Sequence, residues 1–269
     1  PLDFRSSALL ITATLAAIFG IKQIAQNGFS LLPLLFIIAG AGLTYLFLHR
    51  QRLLSHPLID LNLFSLSDFN ISLAALFIGL FSWSGMFFFV GQYLQSVLGL
   101  SSFAAGFWML PGAAGSILLC MAAPVLVRRF SRGRIMAAGV ATQAIGIGFL
   151  FFLGVSGLPL LVVSTILIST GCGLTVTLGI DMVVASTTPH KAGAAAGISE
   201  TSPAFGSSLG IALLGSTWTA IYRGRLSAHL PVGIVAKDAN SALSTIGDAV
   251  ATAKKLHNPG LFNNARAAF

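Results

Sequence analysis

Charge is what this sequence lacks. Only 8% of its residues are Asp, Glu, Lys or Arg, against about 25% in soluble domains. That shortage excludes an ordinary water-soluble globular domain. Cysteine is scarce too, with Cys120 and Cys172 alone. Both fall inside apolar runs and show neither disulfide-framework nor metal-ligand spacing. The five histidines are scattered with no i,i+4 pair, so no metal site is expected. No nucleophile triad, phosphate-binding loop or metal cluster is legible, and the chain does not read as an enzyme or as a cofactor binder. What remains is apolar: 55% hydrophobic residues with 21 Phe and a mean hydropathy of +0.89.

Apolar runs of about 20 residues span a bilayer as helices. Seven are predicted, over 8–26, 31–48, 71–93, 103–127, 135–154, 160–185 and 192–222, with a break at Gly157-Leu158-Pro159. The fold class is therefore an all-α polytopic membrane protein. The formal net charge of +8 does not point to nucleic acid, because the basic residues gather at span ends. Arg5, Arg50, Arg52, the run 128–134 and Lys191 share one side, which the positive-inside rule makes cytoplasmic. Residues 223–269 then lie outside, and 236–256 reads as one amphipathic surface helix with Ala239, Leu243, Ile246 and Val250 on one face. The opening PLDFRSS has neither an initiator Met nor a cleavable signal pattern and suggests a piece of a longer chain.

Only two carboxylates, Asp181 and Glu200, lie inside the apolar runs. A charge at mid-bilayer costs about 2.5–3.5 kcal/mol on insertion scales, so such residues are candidates for proton or cation coupling. Glu200 sits about nine residues into its span. Asp181, near a cytoplasmic end, has an equally good reading as an interface residue pairing with Lys191 or His190. Pro203 removes a backbone donor one turn after Glu200 and predicts a kink. Gly206 and Gly210, like Gly193 and Gly197, have the spacing of close helix packing. Trp83, Phe88 and Tyr93, beside Gln92 and Gln95, offer an aromatic wall suited to a lipophilic cation.

Two stretches resemble a known family. One is Tyr93-Leu94-Gln95-Ser96-Val97-Leu98-Gly99-Leu100-Ser101, continuing through Ala105-Gly106 to Leu110-Pro111. The other runs from Pro189-His190-Lys191-Ala192-Gly193 through Glu200-Thr201 to Gly206, Leu209-Gly210-Ile211 and Gly215-Ser216. Together they are similar to the major facilitator superfamily, in particular its fourteen-span drug:proton antiporter branch (QacA/SmvA-like exporters of quaternary ammonium compounds).

The resemblance implies a C-terminal fragment of a major facilitator fold in the bacterial inner membrane. Residues 1–55 would be the two-helix hairpin linking the transporter halves and 56–222 five spans of the C-terminal half. Residues 223–269 would be the extracytoplasmic loop before a missing last span. Implied partners are a cationic small molecule, protons, membrane lipid and the missing N-terminal half. Two departures matter. Arg128 stands where the superfamily's cytoplasmic loop carries an Asp, which weakens a latch built on that carboxylate. Ala204 stands where some look-alikes have a second acid, which weakens the case for a dicationic substrate. Other readings are carriage of a neutral or anionic compound, or a seven-helix receptor; a retinal protein is disfavoured by the absence of a Lys within 192–222.

Overall fold

The computed structural model describes residues 3–27, 30–54, 61–187, 192–231 and 234–269. Among the described residues every regular element is a helix. Seven helices are long and apolar enough to cross a membrane: α1 (Phe4–Asn27), α2 (Leu31–Leu53), α3 (Ser67–Gln92), α4 (Ser102–Val127), α5 (Arg132–Leu150), α6 (Leu153–Ala185) and α7 (Ala192–Ser227). Three short helices follow: α8 (Ala236–Ser244), α9 (Ile246–Lys255) and α10 (Pro259–Ala268). Large apolar side chains such as Ile11, Leu31, Leu118 and Met121 stand exposed, as surfaces that meet lipid rather than water must. The chain is a multi-pass membrane protein.

The expected spans appear with ends that move by a few residues, mostly outward. The break at 157–159 is also present. Gly157 has φ +61° inside α6, a backbone region that favours glycine, and Pro159 follows it.

Without a hydrophobic drive between helices in lipid, close backbone packing holds the bundle together. Helices α3 and α7 run parallel and meet through glycines. A Cβ on Gly206 would stand 2.5 Å from the Phe77 carbonyl oxygen, and one on Gly210 would collide with the Phe81 carbonyl. Helices α5 and α6 meet in the same way at Gly139 and Gly171. A polar clamp adds to this seam. The buried Gln143 (3% exposed) donates its side-chain N–H to the Gly79 carbonyl at 2.8 Å, joining α5 to α3.

The α1–α2 hairpin is tied where the start of α1 meets the end of α2. Arg50 bridges Asp3 at 3.1 Å, and Gln51 donates to Ser6 Oγ at 2.9 Å. The Ser6 hydroxyl, donating to Asp3 Oδ2 at 2.6 Å, together with the Ser6 amide and Arg50, holds the Asp3 carboxyl at about 2, below its ordinary 3.8. A depressed carboxyl stabilises the fold above its unfolded pKa and loses that contribution as pH falls through the folded value. The protection of the Ser6 and Ser7 amides, measured against their intrinsic exchange rate at each pH, is therefore expected to fall only as pH drops from 3.8 toward about 2. Unchanged protection across that window would contradict it.

The 223–269 segment differs from the sequence expectation. A single helix over 236–256 was expected, but the chain breaks at Thr245 (φ −148°, ψ 159°). Thr245 caps α9: its hydroxyl oxygen accepts from the Asp248 amide at 3.1 Å and also donates to the Asp248 carboxylate. That local alternative to helix is what N-capping offers. The buried face is Ala242, Ile246, Ala249 and Ala253; of the expected residues Ile246 belongs to it, Leu243 and Val250 pack against it half-buried, and Ala239 is outside it. That face packs on Tyr222 and Leu226 at the end of α7 and on Leu261 and Ala265 of α10. Tyr222 donates to the Ala242 carbonyl at 3.2 Å, fastening this small cap to the bundle.

Candidate functional site

Helix α7 carries the strongest candidate, Glu200, eight residues past its first residue. Its buried stripe, including Ala195, Ser199, Gly206 and Gly210, packs on the neighbouring helices. The opposite stripe follows at three- and four-residue steps: Gly193, Gly197, Glu200, Ala204, Ser208, Ile211 and Gly215. All but Gly215 of these are exposed, and among the described residues a Cβ added at Gly193 or Gly197 would meet nothing within 4 Å. Close packing, expected for Gly193 and Gly197 as for Gly206 and Gly210, is thus found only for the second pair. The first pair belongs to the open face of Glu200.

Among the described residues nothing bonds to the Glu200 carboxylate. Pro203 lies on the same helix, and α7 stays helical through it. Its missing N–H leaves the Ser199 carbonyl, one turn earlier, without its intrahelical donor.

Asp181 goes elsewhere. Its carboxylate pairs with Arg132 at the start of α5, at 3.2 Å. The pairing expected with Lys191 or His190 lies outside the described residues. A relay from Asp181 to Glu200 also loses its geometry. Val183 of α6 packs with Ala195 and Ile198 of α7, and Asp181, two residues earlier, is turned about 200° away around the helix. Both partners of the pair are about half exposed, at 47% and 53%. Exposed pairs contribute 0–1 kcal/mol, so Asp181→Asn is expected to cost less than about 1 kcal/mol of stability. A melting-point drop matching several times that figure would overturn this reading. Through Arg132 the arginine-rich loop does find a carboxylate, although Arg128 occupies the position where an Asp was looked for.

The aromatic wall does not stand beside Glu200. Phe77, Phe81, Gly85 and Phe89 of α3 are level with Gly206, Gly210, Leu214 and Trp218 of α7. Phe88 lies 3.5 Å from the Cβ position of Gly215, 15 residues and about 22 Å along the axis from Glu200 at 1.5 Å per residue. The carboxylate lies toward the N-terminal end of α7 and the aromatics toward its other end. Sequence spacing alone could not align two helices separated by a hundred residues.

The five cavity candidates also separate. Trp83 stacks on Phe87 at 4.9 Å and donates its indole N–H to Ser169 Oγ at 3.4 Å. Both rings face a groove of about 420 Å³ between α3, α4 and α6, with Ser116, Cys120 and Thr177 also lining it. Phe88 and Gln92 instead line a cavity beneath the α8–α10 cap. Tyr93 packs among Val90, Leu94 and Leu161. Gln95 accepts from Ser102 Oγ at 3.1 Å and so braces the turn into α4. Tyr93–Val97 forms a π turn, which resets the helical rotation past Gln92. For that reason Gln95 does not continue the face of Phe88 and Gln92; Tyr93, five residues past Phe88, is about 140° away from that face in any case.

The sequence reading missed the groove residues on α4 and α6. Ser116, Ser169 and Thr177 are small polar residues within spans, where such side chains face other helices more than lipid. That was the available signal. Cys120, half-buried, lines the groove too, its sulfur accepting from the Thr177 hydroxyl at 3.2 Å, and so does the buried Cys172.

Comparison with known proteins agrees with this architecture. The model of the Major Facilitator Superfamily matches residues 4–211. The multidrug efflux pump LfrA of Mycolicibacterium smegmatis is 33% identical over the whole chain and 54% of its own length. The methyl viologen resistance protein SmvA of Salmonella typhimurium is 27% identical, again over the whole chain and 55% of its length. The multidrug resistance protein Stp of Mycobacterium tuberculosis is 27% identical over 85% of the chain and 43% of its length. The chain spans about half the length of the relatives it matches. Seven apolar helices, packed through glycine seams and matched over most of their length by one family model, make this chain a member of the major facilitator superfamily.

Proposed function

We propose that the complete protein exports lipophilic organic cations across the bacterial inner membrane in exchange for protons, with Glu200 as the coupling carboxylate. One observation carries the reading: Glu200 lies on the face of α7 that this chain's own helices leave uncovered. An ionised side chain turned to hydrocarbon would cost about 2.5–3.5 kcal/mol. A face of Gly, Ala and Ser around one acid suits a water-accessible cavity closed by a second half, with residues 1–55 as the hairpin between the halves. Alternating access would then expose Glu200 to each side of the membrane in turn.

A carboxylate in that position can hold a proton or a cation, and binding one displaces the other. The relatives' printed roles, multidrug efflux and methyl viologen resistance, support cationic drugs as the substrate class. The groove beside Trp83 and Phe87 is large enough for a drug-sized molecule and supplies the aromatic surface that a cation favours. Asp181, paired to Arg132, serves in this scheme as a cytoplasmic surface contact rather than a relay.

Ala204, one turn from Glu200 on the open face, leaves a single negative charge there. A monovalent cation is accordingly expected to be exported at least several-fold more efficiently than methyl viologen, a dication. Proton release on adding ethidium to the complete protein in weakly buffered detergent tests the exchange directly. Release of protons by wild type and none by Glu200→Gln is the expected pair of results. Equal release by both would defeat the proposal.

A further inference from the structure

The turn between α4 and α5 carries four arginines in seven residues, Arg128, Arg129, Arg132 and Arg134, with Phe130 among them. Both flanking helices are long and apolar enough to cross a membrane, and α4 ends at Val127 while α5 begins at Arg132. Span ends lie where hydrocarbon gives way to lipid headgroups, so the turn sits at that level. It is tight: the Phe130 amide donates to the Leu126 carbonyl at 2.9 Å, and the Arg134 amide to the Ser131 carbonyl at 3.0 Å. All four arginines and Phe130 are exposed.

Internal pairing uses only one of these charges. Arg132 bridges Asp181. Among the described residues, Arg128, Arg129 and Arg134 have no hydrogen-bond or ion-pair partner. Arg50, at another span end, is by contrast held by Asp3. Three guanidinium groups are therefore left for an external anion, and their donor forks match phosphate oxygens. Clusters of four or more basic residues beside a span are the size that attracts anionic lipid.

The helix below the turn decides what kind of anion fits. Leu118, Met121 and Val125 of α4 are exposed. At 100° per residue these three and Arg128 fall within about 80° of one another around the helix. From Leu118 to Arg128 is ten residues, about 15 Å along the axis. That is half of a hydrocarbon core about 30 Å thick, the depth of one leaflet. A water-borne anion would use the arginines and leave this apolar track idle, whereas a lipid with a negative headgroup uses both.

We propose that the α4–α5 turn is a binding site for an anionic phospholipid. Arg128 and Arg129 take the phosphate, Arg134 adds positive charge, and an acyl chain runs along Val125, Met121 and Leu118. A zwitterionic lipid, whose ammonium offsets its phosphate, gains less there. The bound lipid ties this end of the α4–α5 pair to one leaflet.

Native mass spectrometry of the complete protein, titrated in micelles with dioleoylphosphatidylglycerol or dioleoylphosphatidylcholine, tests the site by counting bound lipid. The wild type is expected to take its first phosphatidylglycerol at least five-fold more tightly than phosphatidylcholine. Arg128→Gln/Arg129→Gln/Arg134→Gln should lose that preference and bind phosphatidylcholine as before. Arg129→Glu, a single exposed change, should by itself weaken phosphatidylglycerol at least three-fold. Lys237→Gln/Lys254→Gln removes two exposed charges from the cap and should change nothing. Glycerophosphoglycerol, the same headgroup without tails, should leave the bound lipid in place at equal concentration. Undiminished phosphatidylglycerol binding to the triple variant or to Arg129→Glu, as when another part of the complete protein covers the turn, would overturn the proposal. So would an equal loss in the cap-lysine variant, which would mean unspecific attraction, or displacement by glycerophosphoglycerol, which would make the occupant a water-borne anion. No transport is measured, so the outcome is independent of the role given to Glu200.

Discussion

Glu200→Gln is expected to lower proton-driven export of a cationic dye at least ten-fold in the complete protein. The amide keeps the volume and polarity of the side chain but can neither release a proton nor attract a cation. Among the described residues the Glu200 carboxylate has no internal partner, so no neighbouring group is left stranded by the change. Membrane insertion should not suffer either, because removing a potential charge from an apolar helix removes a cost of about 2.5–3.5 kcal/mol. Expression at or above the wild-type level, together with lost export, is the combined signature. Glu200→Asp, which keeps the charge one methylene shorter, should retain part of the activity. Dye efflux from everted vesicles, normalised to protein in the membrane, measures all three. A well-expressed Glu200→Gln that exports normally would remove this residue from the coupling step.

The second large effect concerns packing. Gly210→Leu should destabilise the protein by about 1–3 kcal/mol or more, the range of an overpacked core. A Cβ there collides with the Phe81 carbonyl, and the equivalent atom on Gly206 comes within 2.5 Å of the Phe77 carbonyl. Those obstacles are backbone atoms of α3, so relief requires moving one helix against the other rather than turning a side chain. The matched control is Gly197→Leu on the same helix. Among the described residues its Cβ meets nothing within 4 Å, so folding should be nearly unaffected, whereas the bulk added to the open face three residues from Glu200 should impair export. Thermal aggregation of the detergent-solubilised protein, followed by size-exclusion chromatography, separates the two. Equal melting of the Gly210 and Gly197 variants would show that the α3–α7 seam does not limit stability.

These two glycine pairs show how far a sequence can be read. Gly193/Gly197 and Gly206/Gly210 have identical four-residue spacing on one helix, and spacing assigns both to packing. Only the approach of α3 distinguishes them, because the helix is crowded on one face and bare on the other. Thr245 shows the limit in another way. The apolar residues over 236–256 fit a helical period, yet a capping hydroxyl and Asp248 offered the backbone a competing local solution. The π turn at Tyr93–Val97 did the same to the face of Phe88 and Gln92, sending Gln95 into bracing the turn before α4.

By itself the sequence determined what depends on composition and local chemistry. Seven apolar runs had to be helices because hydrocarbon offers the backbone no other hydrogen-bond partners. The break at Gly157 and Pro159 follows from one residue that tolerates positive φ and another that lacks a donor. The cost of a buried charge singled out Glu200 before any contact was known. Tertiary structure decided everything that requires two distant segments to be placed side by side. It paired Asp181 with Arg132, set the aromatic cluster about 22 Å from Glu200, and assembled an aromatic chamber from α3, α7 and the cap. Helical period orients a side chain around its own axis, but relative height and facing come only from how one helix seats against the next.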